Sequence, residues 1–297
     1  MSTTGSRSLD GDLFEAERAR LLGVAYRMTG SRIDAEDVVQ DAWLRWERAD
    51  RATIERPEAW LTTVVSRLAL DRLRSAQHRR EEYVGPWLPE VVTTDHDPAD
   101  RAVLVESLTL GFVTVLERLG PVERVVFLLA DVFQVPFDEI GEVVGRSPAA
   151  CRQVASRARR RVAEARPRFR PTDDDAWAVT NAFLTAAVEG DLGTLAAVLA
   201  PDAVEVGDGG GVRRAGRRPV VGADRVARLV VNLARRELRP SMEVRPQLVN
   251  GQPGVVVTEG DQIAMVLACS VVDGKVDRIW AVLNPEKTGG IDAGPLL

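Results

Sequence analysis

The sequence predicts a multidomain chain: two all-α domains, the second containing a helix-turn-helix, followed by an α+β domain. Apolar residues recur at helical spacing from Leu13 to Arg80 and again from about Arg101 to Arg166. Gly145 to Pro148 read as a tight turn between two helices. After Asp175 short helices give way to β-rich runs parted by turn pairs. At 297 residues, 45% of them apolar, the chain is long enough for two or three small cores. The expected division is residues 10–80, a linker at 81–100, residues 101–166, a second linker at 167–174, and residues 175–290.

In the first domain the apolar stripes run through Leu21, Leu22, Ala25 and Met28, then Val38, Val39, Ala42, Trp43 and Trp46, then Leu61, Val64, Val65, Leu68 and Leu73. Asp34, before "AEDVVQ", marks a helix start, and Pro57 sits at a first helical position. Trp43 and Trp46 fall at core spacing. The stretch "EEYVGPWLPEVVTTDHDPAD" holds three prolines and no sustained period, which makes it a linker. The second helical block breaks at Gly120-Pro121, near Pro136 and at Gly145 to Pro148. In the third domain two short helices (Ala176 to Glu189, Leu192 to Leu199) precede a strand at Ala203 to Gly207. A helix at Ala223 to Glu237 follows, and then an antiparallel sheet from "GVVVTEG", "QIAMVLACSVV" and "VDRIWAVLN", with turns at Glu259-Gly260 and Asp273-Gly274.

The formal net charge is −5, whereas a compact duplex-binding domain is usually basic. The mean hides segregation. Arg146 to Arg170 hold nine arginines and one acid, Glu164, while the first fifty residues hold ten acids against seven arginines. Cys151 and Cys269 are too few for a disulfide framework or a zinc site, and His78 and His96 do not complete one, so no metal and no cofactor is expected. There is no apolar run of signal-peptide or membrane-spanning length, so a reducing cytoplasm and no membrane are expected.

Around the turn, Gly145 ends one helix, and Ser147 with Pro148 caps and starts the next. Ile140, Val143 and Val144 turn inward from the first helix; Cys151, Val154, Ala155, Ala158 and Val162 from the second. Ala149, Arg152, Gln153, Ser156 and Arg160 fall on the opposite face, with Arg157 beside them. That face is small and polar at its start and cationic further along. It suits a helix whose N-terminus reaches base edges while its end lies near phosphates. An arginine count alone would equally describe a solvated face.

The stretch "LGPVERVVFLLADVFQVPFDEIGEVVGRSPAACRQVASRARRRV" resembles the C-terminal, promoter −35-reading domain of extracytoplasmic-function RNA polymerase sigma factors. "DAEDVVQDAWLRW" is similar to the helix with which these factors grip the clamp coiled coil of polymerase β′, and "RPEAWLTTVVSRLALDRLRSAQHRR" to their −10-reading helix. The resemblance covers roughly Leu13 to Arg166. It implies an alternative sigma factor, not an enzyme, with core RNA polymerase and promoter DNA as partners. The −35 contacts fall to Ser147, Ala149, Arg152, Gln153, Ser156, Arg157 and Arg160, and the −10 contacts to Trp60, Thr63, Arg67, Asp71 and Arg74. Asp34, Asp37, Gln40 and Asp41 form the acidic polymerase-binding surface.

Residues 175 to 287 resemble the SnoaL-like members of the NTF2-like superfamily, whose cone encloses a pocket that can take a small apolar ligand. "WLPE" (Trp87, Leu88, Pro89, Glu90), "DGGG" (Asp208, Gly209, Gly210, Gly211) and "NPEK" (with Asn284 and Pro285) together resemble the signature of the SigJ-type subgroup, sigma factors with such a domain fused. Val91 and Val212 depart from it, Val212 standing for a usual lysine that Arg213 would replace. The resemblance implies that the fused domain acts in place of a separate anti-sigma protein. A second reading is a metabolite-sensing regulator, or a cyclase or isomerase tethered to DNA-binding helices. Isomerase chemistry asks for a carboxylate base and a second proton donor. The third domain holds no tyrosine or histidine, leaving Asp202, Asp208, Glu259 and Asp261 as candidate acids and no catalytic residue assigned.

Overall fold

The computed structural model describes residues 4–81, 83–92, 109–164, 174–288 and 291. They fall into two compact units, one of Met1–Glu81 with Val115–Arg166, the other of Glu82–Thr114 with Pro167–Leu297. His78 lies on a helix whose side chains there are not described; His96, most of the second linker and part of the first lie outside the described residues.

The first unit begins with α1 (Thr4–Thr29), α2 (Arg32–Arg48) and α3 (Pro57–Glu81). Leu21, Val24 and Met28 of α1, Val38, Val39 and Trp46 of α2, and Leu61 and Val65 of α3 are buried together, as the stripes require. α3 starts at Pro57, as expected. α2 does not start at Asp34: Ser31 is its cap, its hydroxyl accepting the Asp34 N–H at 3.1 Å, because a serine three residues upstream satisfies that orphan donor.

The chain continues through α4 (Leu110–Leu116), α5 (Pro121–Phe127), a π-helical turn (Leu128–Val132), α6 (Phe137–Val144) and α7 (Pro148–Glu164). α5 and α6 pack against α3. The buried Arg124 of α5 donates through Nε to the Arg27 carbonyl at 3.1 Å and pairs through Nη1 with Glu117, so a guanidinium joins the two helical segments by charge-assisted hydrogen bonds.

The second unit holds α8 (Asp174–Glu189), α9 (Leu192–Val198), β1 (Leu199–Asp208), β2 (Val220–Val221), α10 (Ala223–Glu237), β3 (Met242–Val249), β4 (Gln252–Glu259), β5 (Gln262–Val272), β6 (Lys275–Val282) and the single turn α11 (Pro285–Thr288). Its six strands run in the order β2-β1-β6-β5-β4-β3. The expected antiparallel sheet is corrected in one place: β1 lies parallel to β6, with Val206 opposite Trp280. Parallel neighbours need a long crossover, and everything from β2 to β5 lies between these two strands in sequence. β3 is an edge strand, which is where Pro246 costs no ladder bond.

Both faces of this sheet are covered, which accounts for the unbroken apolar run "GVVV". On one face Val255, Val257, Leu267 and Cys269 pack under Phe183, Leu195 and Val226 of the helices. On the other, Val256, Val266, Ala268 and Trp280 are roofed by Leu88 and Val91 of the proline-bearing segment, with Leu110 and Ile291. Among the described residues no helix is long and apolar enough to cross a membrane, and no cluster of His, Cys, Asp and Glu could hold a metal ion.

Candidate functional site

Gly145 takes φ +69°, a left-handed conformation that ends α6, and the Ser147 hydroxyl accepts the Ala150 N–H at 3.3 Å to open α7. Cys151, Val154, Ala155 and Ala158 are buried, while Ser147, Ala149, Arg152, Gln153, Ser156, Arg157 and Arg160 are exposed. Two arginines are tied inside the unit: Arg159 to Asp131 at 2.8 Å and Arg161 to Glu123 at 2.5 Å. Arg152 lies over the Phe137 ring, 5.7 Å from its centroid. Arg157 and Arg160 pair with no described carboxylate, so their charge is available to an external anion.

On α3, Trp60 is half-buried against Trp46 with ring centroids 5.6 Å apart, and Thr63 is half-buried. Arg67 is exposed but donates to the Glu142 carbonyl of α6 at 2.9 Å, and nearby Arg56 pairs with Glu139 at 2.8 Å. Asp71 and Arg74 form an exposed pair at 3.5 Å. The −10 candidates therefore share one helix, and one of them is engaged by the helix-turn-helix. On α2, Asp34 and Asp37 face Arg72 at 3.4 and 3.1 Å, whereas Gln40 and Asp41 are exposed without it. Beside them stand Ile33, 60% exposed, and Leu44, 42% exposed. Sequence reasoning passed over these two, although apolar residues off the buried stripe were a signal.

The second unit gathers all three signature segments. Asp208, at the end of β1, is fully buried, and its Oδ2 accepts from Lys287 Nζ at 2.6 Å and from the Leu88 N–H at 2.7 Å. Its Oδ1 accepts from the Tyr83 hydroxyl at 2.5 Å and the Gly210 N–H at 3.0 Å. Lys287 donates also to the Leu88 carbonyl at 2.6 Å and sits 4.0 Å from the Trp87 ring centroid and 4.6 Å from that of Tyr83. Asn284 Nδ2 donates to the Tyr83 oxygen at 2.9 Å. Burial beside the Asp208 carboxylate pushes the Tyr83 hydroxyl well above the usual phenol range, so it stays a donor. Gly210, at φ +62°, leaves no room for a side chain, since a Cβ would lie 2.5 Å from the Asn284 amide. Pro89 is buried, Glu90 half-buried and Pro285 exposed; Gly209 and Gly211 complete the loop. The cluster's cation is Lys287, which the site reading had left out along with Tyr83. Val212 is 72% exposed, and Arg213 lies at the rim of a cavity instead.

That cavity, of about 610 Å³, lies between the helices and the sheet. Its interior acid is Glu205, which sequence reasoning did not single out; burial pushes its pKa up to about 7. Of the acids that were singled out, Asp208 belongs to the Lys287 pair, Glu259 binds Arg239 at the rim, and Asp202 and Asp261 are exposed. No tyrosine or histidine is among the residues lining it.

Sigma-70 region 2 matches residues 13–79 and Sigma-70 region 4 matches residues 110–162. The chain is 45% identical to the ECF RNA polymerase sigma factor SigJ of Mycobacterium tuberculosis, over 93% of this chain and 92% of that one. It is 38% identical to the probable ECF RNA polymerase sigma factor SigI of the same organism, over 92% of each. The crystal structure of Mycobacterium tuberculosis SigJ superposes with a TM-score of 0.77 at 41% identity, covering 94% of this chain and 98% of that one. Two sigma-70 regions in order, one of them carrying an exposed arginine face on a capped helix, and an α+β domain after them, place this chain among the extracytoplasmic-function RNA polymerase sigma factors.

Proposed function

We propose that this alternative sigma factor reads the −35 element with the outer face of α7, holds the −10 strand on α3, and docks on the clamp coiled coil of core polymerase through α2. The observation that carries the reading is the separation of faces on α7: Cys151, Val154, Ala155 and Ala158 are buried while Arg152, Gln153, Arg157 and Arg160 all remain outside. A helix N-terminus with small polar residues admits base edges, and the cationic turns after it follow phosphates. On α2 the exposed Ile33 and Leu44 flank Gln40 and Asp41, the mixture of apolar anchor and charge that gives an interface both burial and register.

The fused domain modulates this activity through the Asp208–Lys287 cluster. The cluster fastens the segment that links the two promoter readers, so its state sets how that segment can move. The domain has room in its cavity for a small apolar ligand, and with no tyrosine or histidine among the lining residues a binding role suits it better than isomerase chemistry. The test is footprinting of promoter DNA by the full chain with core polymerase. Arg152→Ala is expected to weaken −35 protection by about 1–3 kcal/mol and relax base preference there, whereas Arg160→Ala weakens protection evenly across sequences. Unchanged footprints for both would move the DNA-reading face elsewhere.

A further inference from the structure

The cavity of the second unit combines three properties. Its walls are apolar, with Phe183, Val230, Leu233, Val257 and Ile279 among them. Within it lies one acid, Glu205, 5% exposed, and no described residue hydrogen-bonds its carboxyl group. At its edge Arg213, Arg214, Arg236 and Arg239 stand against Glu237 and Glu259, an excess of cations. Glu259 is held by Arg239 at 2.8 Å through both carboxylate oxygens, so Arg213, Arg214 and Arg236 are the exposed rim cations without a described ion-pair partner.

Each property selects a part of a ligand. Apolar walls enclosing a volume in the usual range for small-molecule sites take an apolar body. A buried carboxyl with nothing to bond costs free energy until something fills its hydrogen-bonding capacity, and in its neutral form it donates to an uncharged oxygen. An arginine rim attracts an anion and repels a cation. We propose that the cavity binds a fatty-acid-like carboxylate, its apolar body inside with one hydroxyl or keto oxygen facing Glu205 and its carboxylate on Arg213, Arg214 and Arg236. This rests on the reading of the cavity as a ligand site and adds the ligand's chemistry.

The test is isothermal titration of the full chain with four probes: laurate, laurate hydroxylated near mid-chain, lauryl alcohol and laurylamine. The hydroxylated laurate is expected to bind tightest at one per chain, with the alcohol and the amine at least about tenfold weaker than laurate, a 1.4 kcal/mol preference for the anion. Arg214→Glu combined with Arg236→Glu, both exposed and so tolerated by the fold, should weaken laurate by about tenfold or more. Glu205→Leu should abolish the preference for the hydroxylated probe while retaining laurate. Alcohol or amine binding as tightly as laurate would overturn the anionic class and leave the cavity an apolar ligand site; equal affinity for the two laurates would overturn the part given to Glu205. Binding by none of the four overturns both this inference and the ligand-site reading. The measurement needs neither polymerase nor DNA, so its outcome is independent of the promoter-reading proposal.

Discussion

Burying a carboxyl group favours its protonated form, and Glu205 shows the effect at a single residue. Its pKa of about 7 in the fold, against an ordinary value near 4.5, means that the folded chain binds this proton more tightly than the unfolded one. Between those two values the native state holds more protons than the unfolded state, so stability falls as pH rises, and the loss is complete above about 7. The shift corresponds to roughly 3 kcal/mol, as an order of magnitude. Glu205→Gln removes the titration. Thermal melts of the two proteins should run together near the acid end of that window and part toward neutral pH, the variant being the more stable there. Parallel curves would show that Glu205 titrates in the fold as it does in an open chain.

At the scale of an element, α2 carries two kinds of acid. Asp34 and Asp37 are partly neutralised by Arg72, so reversing them would disturb the helical unit itself, whereas Asp41 pairs with no described cation. Asp41→Arg should therefore leave the melting temperature unchanged and lower co-purification with core polymerase by about tenfold, since attraction becomes like-charge repulsion; Leu44→Ser should act in the same direction. Full retention of both variants would place the polymerase contact on another helix. The elements whose bounds agree with the sequence are those defined locally. α10 runs from Ala223 to Glu237 as expected, and α7 exposes the face its 3.6-residue period assigns. β3 was not legible as a strand because Pro246 interrupts its pattern, and the parallel pairing of β1 with β6 is a long-range choice that no local period encodes. For the same reason the parts played by Tyr83 and Lys287 are not legible locally: each meets Asp208 across a large separation, 125 and 79 residues.

At the scale of the whole molecule, the chain passes from the first unit to the second, back to the first, and again to the second. The segment 83–92 is thus a piece of the C-terminal unit that lies, in sequence, between the two sigma-70 regions. Its hold depends on a buried ion pair, with Asp208 fully buried and Lys287 7% exposed. Removing one partner of such a pair costs about 3–5 kcal/mol because the other charge is left behind in a low dielectric. Lys287→Met should destabilise the second unit by that order and open Trp87 to Val91 to proteolysis, and adding Asp208→Asn should restore part of the loss. Under the regulatory reading the single variant also changes run-off transcription with purified polymerase; an unchanged transcript yield beside a released segment would confine the cluster to a structural role. Truncation after Pro171 is a blunter variant, for it strips the cover from Leu88 and Val91 as well.

The Leu88–Lys287 contact also imposes an order in time. The two residues are 199 apart in the chain, and a ribosome adding about 5–20 residues per second needs roughly 10–40 s to cover that distance. Part-way through that interval, once Glu164 has been added, α3 and α7 have both been synthesised, yet the segment between them has no Lys287 to close on. A newborn molecule therefore passes through a stage in which its sigma regions exist without their fastening, and the age of the chain decides when the fastening is made.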